Sequence, residues 1–171
     1  YHLSPAQKPS PRYSPRMAFD PAREEMVLFG GWNHGNRNDT WVWDGTEWAQ
    51  IFPAHSPAAR AAYAIAFDER IGELIIFGGS GDSQILGDTW AWNVVDWVQK
   101  FPTDAPPPRA GAKMAFDRST GRIILFGGYG ASYIDDLNDT WAWDGISWTR
   151  LQPFQSPSCR YEFGLAYDDF H

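Results

Sequence analysis

The chain has 171 residues, 43% hydrophobic and 20% charged, a composition that folds as one domain or slightly more and is not that of a disordered chain. Lys plus Arg is 14 and Asp plus Glu is 21, so the formal charge of −7 argues against the basic stripe of a nucleic-acid surface and against a polybasic membrane anchor. No apolar run approaches the ~20 residues that span a bilayer, and the single cysteine, Cys159, permits neither an internal disulfide nor a cysteine-based zinc site.

A Pro-rich stretch opens the chain at 5–15, without an Arg/Lys-led apolar segment of the signal-peptide kind. Beyond it one pattern recurs. Nine of the ten Trp form three triplets with a single spacing: Trp41, Trp43, Trp48; Trp90, Trp92, Trp97; and Trp141, Trp143, Trp148. The Gly pairs Gly30-Gly31, Gly78-Gly79 and Gly127-Gly128 keep the same period of 48 and 49 residues. Asp20, Asp68, Asp117 and Asp168 each follow an Arg by eight residues, namely Arg12, Arg60, Arg109 and Arg160. The chain is a repeat protein.

Each unit reads as four strands in order. The first (60–68, 109–117) is short and rich in small residues, which suits a crowded position near an axis. The second (26–29, 74–77, 123–126) is apolar without alternation, as expected of a strand buried on both faces, and ends in Phe-Gly-Gly, where the backbone needs positive φ or very close approach. The third carries Trp at i and i+2, on one face of the pleat. Asp44-Gly45 and Asp144-Gly145 then turn the chain into a fourth strand that brings back the last Trp. No segment holds a 3.6-residue apolar period over three turns. Four antiparallel strands buried on both faces must stack on the next unit, which describes a β-propeller; a linear β-solenoid is the competitor.

The Arg opening the first strand, the Phe-Gly-Gly end of the second, the run Asn138-Asp139-Thr140-Trp141-Ala142-Trp143-Asp144-Gly145 and the closing Trp148 together resemble the kelch repeat, over nearly the whole chain. The resemblance implies an all-β, kelch-type propeller and is closest in style to bacterial repeats of secreted or cell-surface proteins, which favours an extracellular place over a cytoplasmic one. There are departures. Family members often carry His three residues after the Arg, where Pro15, Tyr63, Ala112 and Phe163 stand, and the second unit replaces Asp-Gly with Asn93-Val94-Val95-Asp96. The units place blades at 12–50, 60–99 and 109–151, with the first strand of a fourth at 160–168. Three blades and an extra strand make an arc with two apolar flanks. The expectation is either a piece of a longer polypeptide or a homo-oligomer that completes the ring.

Strand parity puts the linkers between units and the variable loops 32–38, 80–87 and 129–138 on one face, where binding residues sit on a rigid scaffold. The ligand-binding candidates there are Trp32, His34, Arg37, Asp82, Gln84, Tyr129, Tyr133 and Asp135. Trp32, outside the triplets, reads either as an aromatic platform or as packing on its own blade; the repeated Trp read as packing between blades, with a sugar-binding ladder as the alternative. Arg12, Arg60, Arg109 and Arg160 are candidates for a channel mouth that binds carboxylates, as kelch domains bind acidic peptides; the alternative is pairing with local Asp or carbonyl groups. The oxygen-rich run 135–139 offers a calcium site, but its recurrence as Asn38-Asp39 reads as a turn that caps the third strand.

No cofactor or metal motif is found, and His34 and His55 lack a nucleophile or ligand spacing around them. Galactose-oxidase-like enzymes share the propeller, but Cys159 beside Tyr161 has no His near it in sequence to complete their copper chemistry. The sequence therefore reads as a non-catalytic binding or scaffold module for a protein, peptide or glycan. The alternatives are part of a sugar-active propeller enzyme (epimerase, mutarotase or galactose-oxidase-like) and a self-assembling structural ring.

Overall fold

A computed structural model of the chain describes residues 5–131 and 136–169. These residues contain twelve strands and no helix, hence no helix long and apolar enough to cross a membrane. Blade 1 is β1 (Arg16–Asp20), β2 (Glu25–Trp32), β3 (Asn36–Trp43) and β4 (Trp48–Ile51). Blade 2 is β5 (Ala64–Asp68), β6 (Glu73–Ser80), β7 (Ile85–Trp92) and β8 (Trp97–Lys100). Blade 3 is β9 (Lys113–Asp117), β10 (Arg122–Phe126), β11 (Thr140–Trp143) and β12 (Trp148–Leu151). Each blade is one antiparallel sheet in up-and-down order, and together they form an open propeller. The innermost strands β1, β5 and β9 touch in sequence, with the small residues Ala64, Ala66 and Ala112 buried where they crowd together.

The repeated acids make the turns. Asp20, Asp68 and Asp117 each accept the backbone N–H two residues on, from Ala22, Arg70 and Ser119 at 2.9, 3.0 and 2.9 Å. This Asx turn folds the first strand onto the second. Asp44, Asn93 and Asp144 do the same between the third and fourth strands. Gly45 and Gly145 follow there with φ of +97°, and blade 2 forces Val94 into that slot at +81°.

Glycine is needed where blades meet. A Cβ on Gly30 would lie 2.6 Å from the carbonyl oxygen of Arg60 in the next blade, and one on Gly127 the same distance from that of Arg160. The second Gly of each pair uses this approach: Gly31, Gly79 and Gly128 donate N–H to the carbonyls of Arg60, Arg109 and Arg160 at 2.9, 2.8 and 2.9 Å. A second line of bonds runs around the mouth, with Ala62 donating to Ser14, Gly111 to Ala62 and Glu162 to Gly111 at 3.1, 2.7 and 3.0 Å. All four residues have positive φ, so the chain takes the same left-handed step in every unit.

The closing Trp lock one blade to the previous one. Trp97 Nε1 donates to Thr40 Oγ1 at 2.9 Å and its ring meets Phe29 at 5.0 Å, edge on. Trp148 repeats this on Thr89 (3.0 Å) and Phe77 (5.3 Å). Within their own blades they pack against Trp92 and Trp143, and all four indoles are buried. Trp48 lies at the open flank of blade 1 instead, half-buried beside Met17, Met26 and Trp43. Exposure shows the same edge effect: Phe19 in β1 is 49% exposed, whereas its counterpart Phe67 in the middle blade is 9% exposed.

Two expectations are corrected. Residues 160–168 form no strand. Arg160 and Glu162 keep their backbone bonds to blade 3, but among the described residues no second strand pairs with the segment, and most of it is exposed. The variable loops of blades 1 and 2 are also tighter than the sequence implies. β2 and β6 run on past their Gly pairs through a bulge, leaving turns of only 33–35 and 81–84.

Replacing Trp97 with Ala is expected to lower unfolding free energy by ~3–5 kcal/mol, the range for a large buried aromatic. Thr40→Val, which leaves the indole N–H without its acceptor, is expected to cost ~1–3 kcal/mol. Urea denaturation measures both; an effect of Trp97→Ala below ~1 kcal/mol would contradict interior packing.

Candidate functional site

Three places on the loop face are equivalent by the repeat and differ in side-chain size. In blade 1 a bridge joins Tyr13 to Trp32, in blade 2 Ala61 to Ser80, and in blade 3 Ala110 to Tyr129. The small pair of blade 2 leaves a notch of about 400 Å³ between aromatic residues of the neighbouring blades. Trp32 and Tyr13 stand on one side, 6.1 Å apart between ring centroids; Tyr129 stands on the other, edge-on to Tyr161 at 5.3 Å. Ala61, Ala62, Ser80 and Gly81 line the space between them, and Asn36 and Asp82 complete the rim.

Asn36 is the ladder partner of Trp32, and it donates from both its backbone N–H (3.3 Å) and its Nδ2 (3.0 Å) to Asp82 Oδ1. The β2–β3 turn is thereby tied to the β6–β7 turn of the next blade, which fixes the carboxylate on the rim of the notch that Trp32 also lines. Trp32 is 44% exposed and Tyr13 73% exposed, so both rings face solvent.

The structure thus brings Trp32, Asp82 and Tyr129 together. His34 sits behind Trp32 at 6.2 Å, at the exposed tip of the turn. Arg37 is exposed on β3 and donates to the Asn33 carbonyl at 3.1 Å. Gln84 is exposed and its carbonyl closes the β6–β7 turn on Gly81, away from the notch lining. Tyr133 and Asp135 lie outside the described residues. Sequence reasoning missed Tyr13 and Asn36; the signal for Tyr13 was its place directly after Arg12, where the other units carry Ala61, Ala110 and Tyr161.

The arginines do not form an open mouth. Arg12, Arg60 and Arg109 each make a two-pronged ion pair with the Asp of the Asp-Thr-Trp run of the same blade, Asp39, Asp88 and Asp139, at 2.6–2.9 Å. Each also donates to the carbonyl of the first Gly of the pair, Gly30, Gly78 or Gly127. Arg60 and Arg109 are fully buried. The same Asp accepts an indole N–H from Trp41, Trp90 or Trp141. Asp139 is therefore engaged by protein donors, and no His, Cys, Asp or Glu group suited to a metal occurs among the described residues. The Arg160 side chain is exposed, and among the described residues it bonds to Ser158 alone. Nearer the axis Glu162 accepts from Arg16 (2.5 Å) and Lys113 (3.3 Å), which neutralises part of the positive charge there.

Burial opposes ionisation of Asp39, Asp88 and Asp139, but the Arg and indole hydrogen bonds outweigh it and hold each carboxyl below its ordinary value. A carboxyl depressed in the fold contributes stability above the unfolded-state value and loses it as the pH falls through its own. The urea midpoint is therefore expected to fall steadily below about pH 4. Asp88→Ala, which strands the buried Arg60 charge, is expected to cost ~3–5 kcal/mol at pH 7 and to lose less than the wild type between pH 5 and pH 3. Equal acid losses in both proteins would contradict this linkage.

The family model of the KLHDC2/KLHL20/DRC7 Kelch-repeats domain matches residues 3–169. No curated protein matches the chain. The match spans the three blades and the docked segment after them, and with the recurring Arg–Asp–Trp and Trp–Thr contacts it places the chain in the kelch-repeat family.

Proposed function

We propose that the chain is a non-catalytic binding module that receives a protein partner on its loop face. The observation that carries this reading is the notch itself: solvent-facing Trp32 and Tyr13, opposed by Tyr129, around the small residues of blade 2. Aromatic rings on a rigid scaffold offer contact area at little entropic cost.

A second reading rests on the flanks. Phe19 is half-exposed, and Arg160 lacks the Asp that its three counterparts hold among the described residues. These surfaces suit stacking against further kelch blades, from a second copy or a longer polypeptide.

Selection of random peptides by display on the chain tests the first reading. Ser80→Trp, which copies the blade 1 residue into the notch, is expected to weaken the selected peptides at least ~10-fold, about 1.4 kcal/mol. Ile146→Ser, at an exposed turn of the opposite face, is expected to leave them unchanged. Peptides indifferent to Ser80→Trp would overturn the assignment of the binding face.

A further inference from the structure

We infer that the notch takes a cationic side chain, arginine or lysine, presented by a basic peptide; this rests on the reading of the loop face as the binding face. The argument begins with the carboxylate at the rim. Asp82 Oδ1 accepts both bonds from Asn36, and Oδ2 has no hydrogen bond or ion pair among the described residues. No Arg, Lys or His lines the notch. The nearby cations are committed elsewhere: Arg37 to the Asn33 carbonyl, and Arg16 and Lys113 to Glu162. A carboxylate with no cation paired to it among the described residues thus lines the same notch as exposed Trp32 and Tyr13.

That pairing has a specific chemical complement. The face of an indole attracts a guanidinium or ammonium through the ring quadrupole, most strongly of the aromatic side chains, and phenol faces add to it. A carboxylate alongside supplies the counter-charge and, for a guanidinium, hydrogen-bond acceptance. Alanine, serine and glycine between the walls leave room for the aliphatic stem to lie along the rings. The chain's formal charge of −7 adds long-range attraction for a basic partner and none for an acidic one. A neutral sugar ring would share the stacking on Trp32 but would leave the charge of Asp82 unpaired.

The probes are acetyl-glycyl-arginyl-glycinamide, the same peptide with citrulline in place of arginine, and a set of methyl hexosides. Each is titrated into the chain while the Trp32 indole N–H is followed by NMR, with Trp32→Phe assigning the signal. The arginine peptide is expected to bind at least ~10-fold more tightly than its citrulline counterpart, to lose at least ~10-fold with Asp82→Asn, and to weaken as salt is raised. Asp82 is exposed, so Asp82→Asn is expected to leave the thermal midpoint unchanged, and that measurement accompanies it. Equal binding of the arginine and citrulline peptides, or no loss with Asp82→Asn, overturns the inference. Hexosides that shift the Trp32 signal while the arginine peptide does not also overturn it, and leave the binding face standing with a glycan as its ligand. Where display-selected peptides ignore Ser80→Trp, the binding-face reading falls as well.

Discussion

Stability here is shared across blade boundaries by one repeated contact, the indole of a closing strand seated against the preceding blade. Trp97 and Trp148 each place their ring edge-on to a buried Phe and give their N–H to a buried Thr of the neighbour. A sheet apolar on both faces has no stable life alone, and this contact supplies the missing face while satisfying a polar group that burial would otherwise penalise. The buried Arg–Asp pairs work inside the blade: Arg60 fastens the entry segment of blade 2 to the middle of β7, and Arg109 fastens that of blade 3 to the residue just before β11.

The candidate site is a consequence of that regularity. Because equivalent positions recur at the mouth of every blade, one small pair flanked by larger ones makes a recess without any change in backbone. Ala61 and Ser80 create the recess, and Trp32, Tyr13 and Tyr129 supply its aromatic residues. The carboxylate is placed by a contact between blades, Asn36 to Asp82, so the notch belongs to the stacked array and to no single repeat.

Much of the scaffold was readable before any coordinates. The Trp triplets, Phe-Gly-Gly and Asp-Gly signals mark strands and turns by local chemistry, and local chemistry is what a sequence displays. What was hidden is who touches whom. Asp39 and Asp139 read as turn caps, yet they and Asp88 pair with the arginines 27 to 30 residues before them, and spacing alone does not fix which Asp each Arg takes. The sequence left those arginines two readings, a mouth open to an anion or pairing with a local Asp, and the second is the one found, with Arg60 and Arg109 buried. For residues 160–168 the period was right and the strand was absent, because a ladder needs a neighbour as well as a suitable sequence. Trp32 and Asp82 were visible as unusual residues on variable turns. Asn36, which joins them, carries no local mark.

The blade-to-blade seating of the indoles is tested most directly by hydrogen exchange at the three closing Trp, Trp48, Trp97 and Trp148, read from their Nε1–H resonances. The account predicts slow exchange at Trp97 and Trp148, approaching the rate of global unfolding, and fast exchange at Trp48, whose Nε1 has no hydrogen bond among the described residues. Fast exchange at all three, or protection at Trp48 equal to that at Trp97, would contradict it.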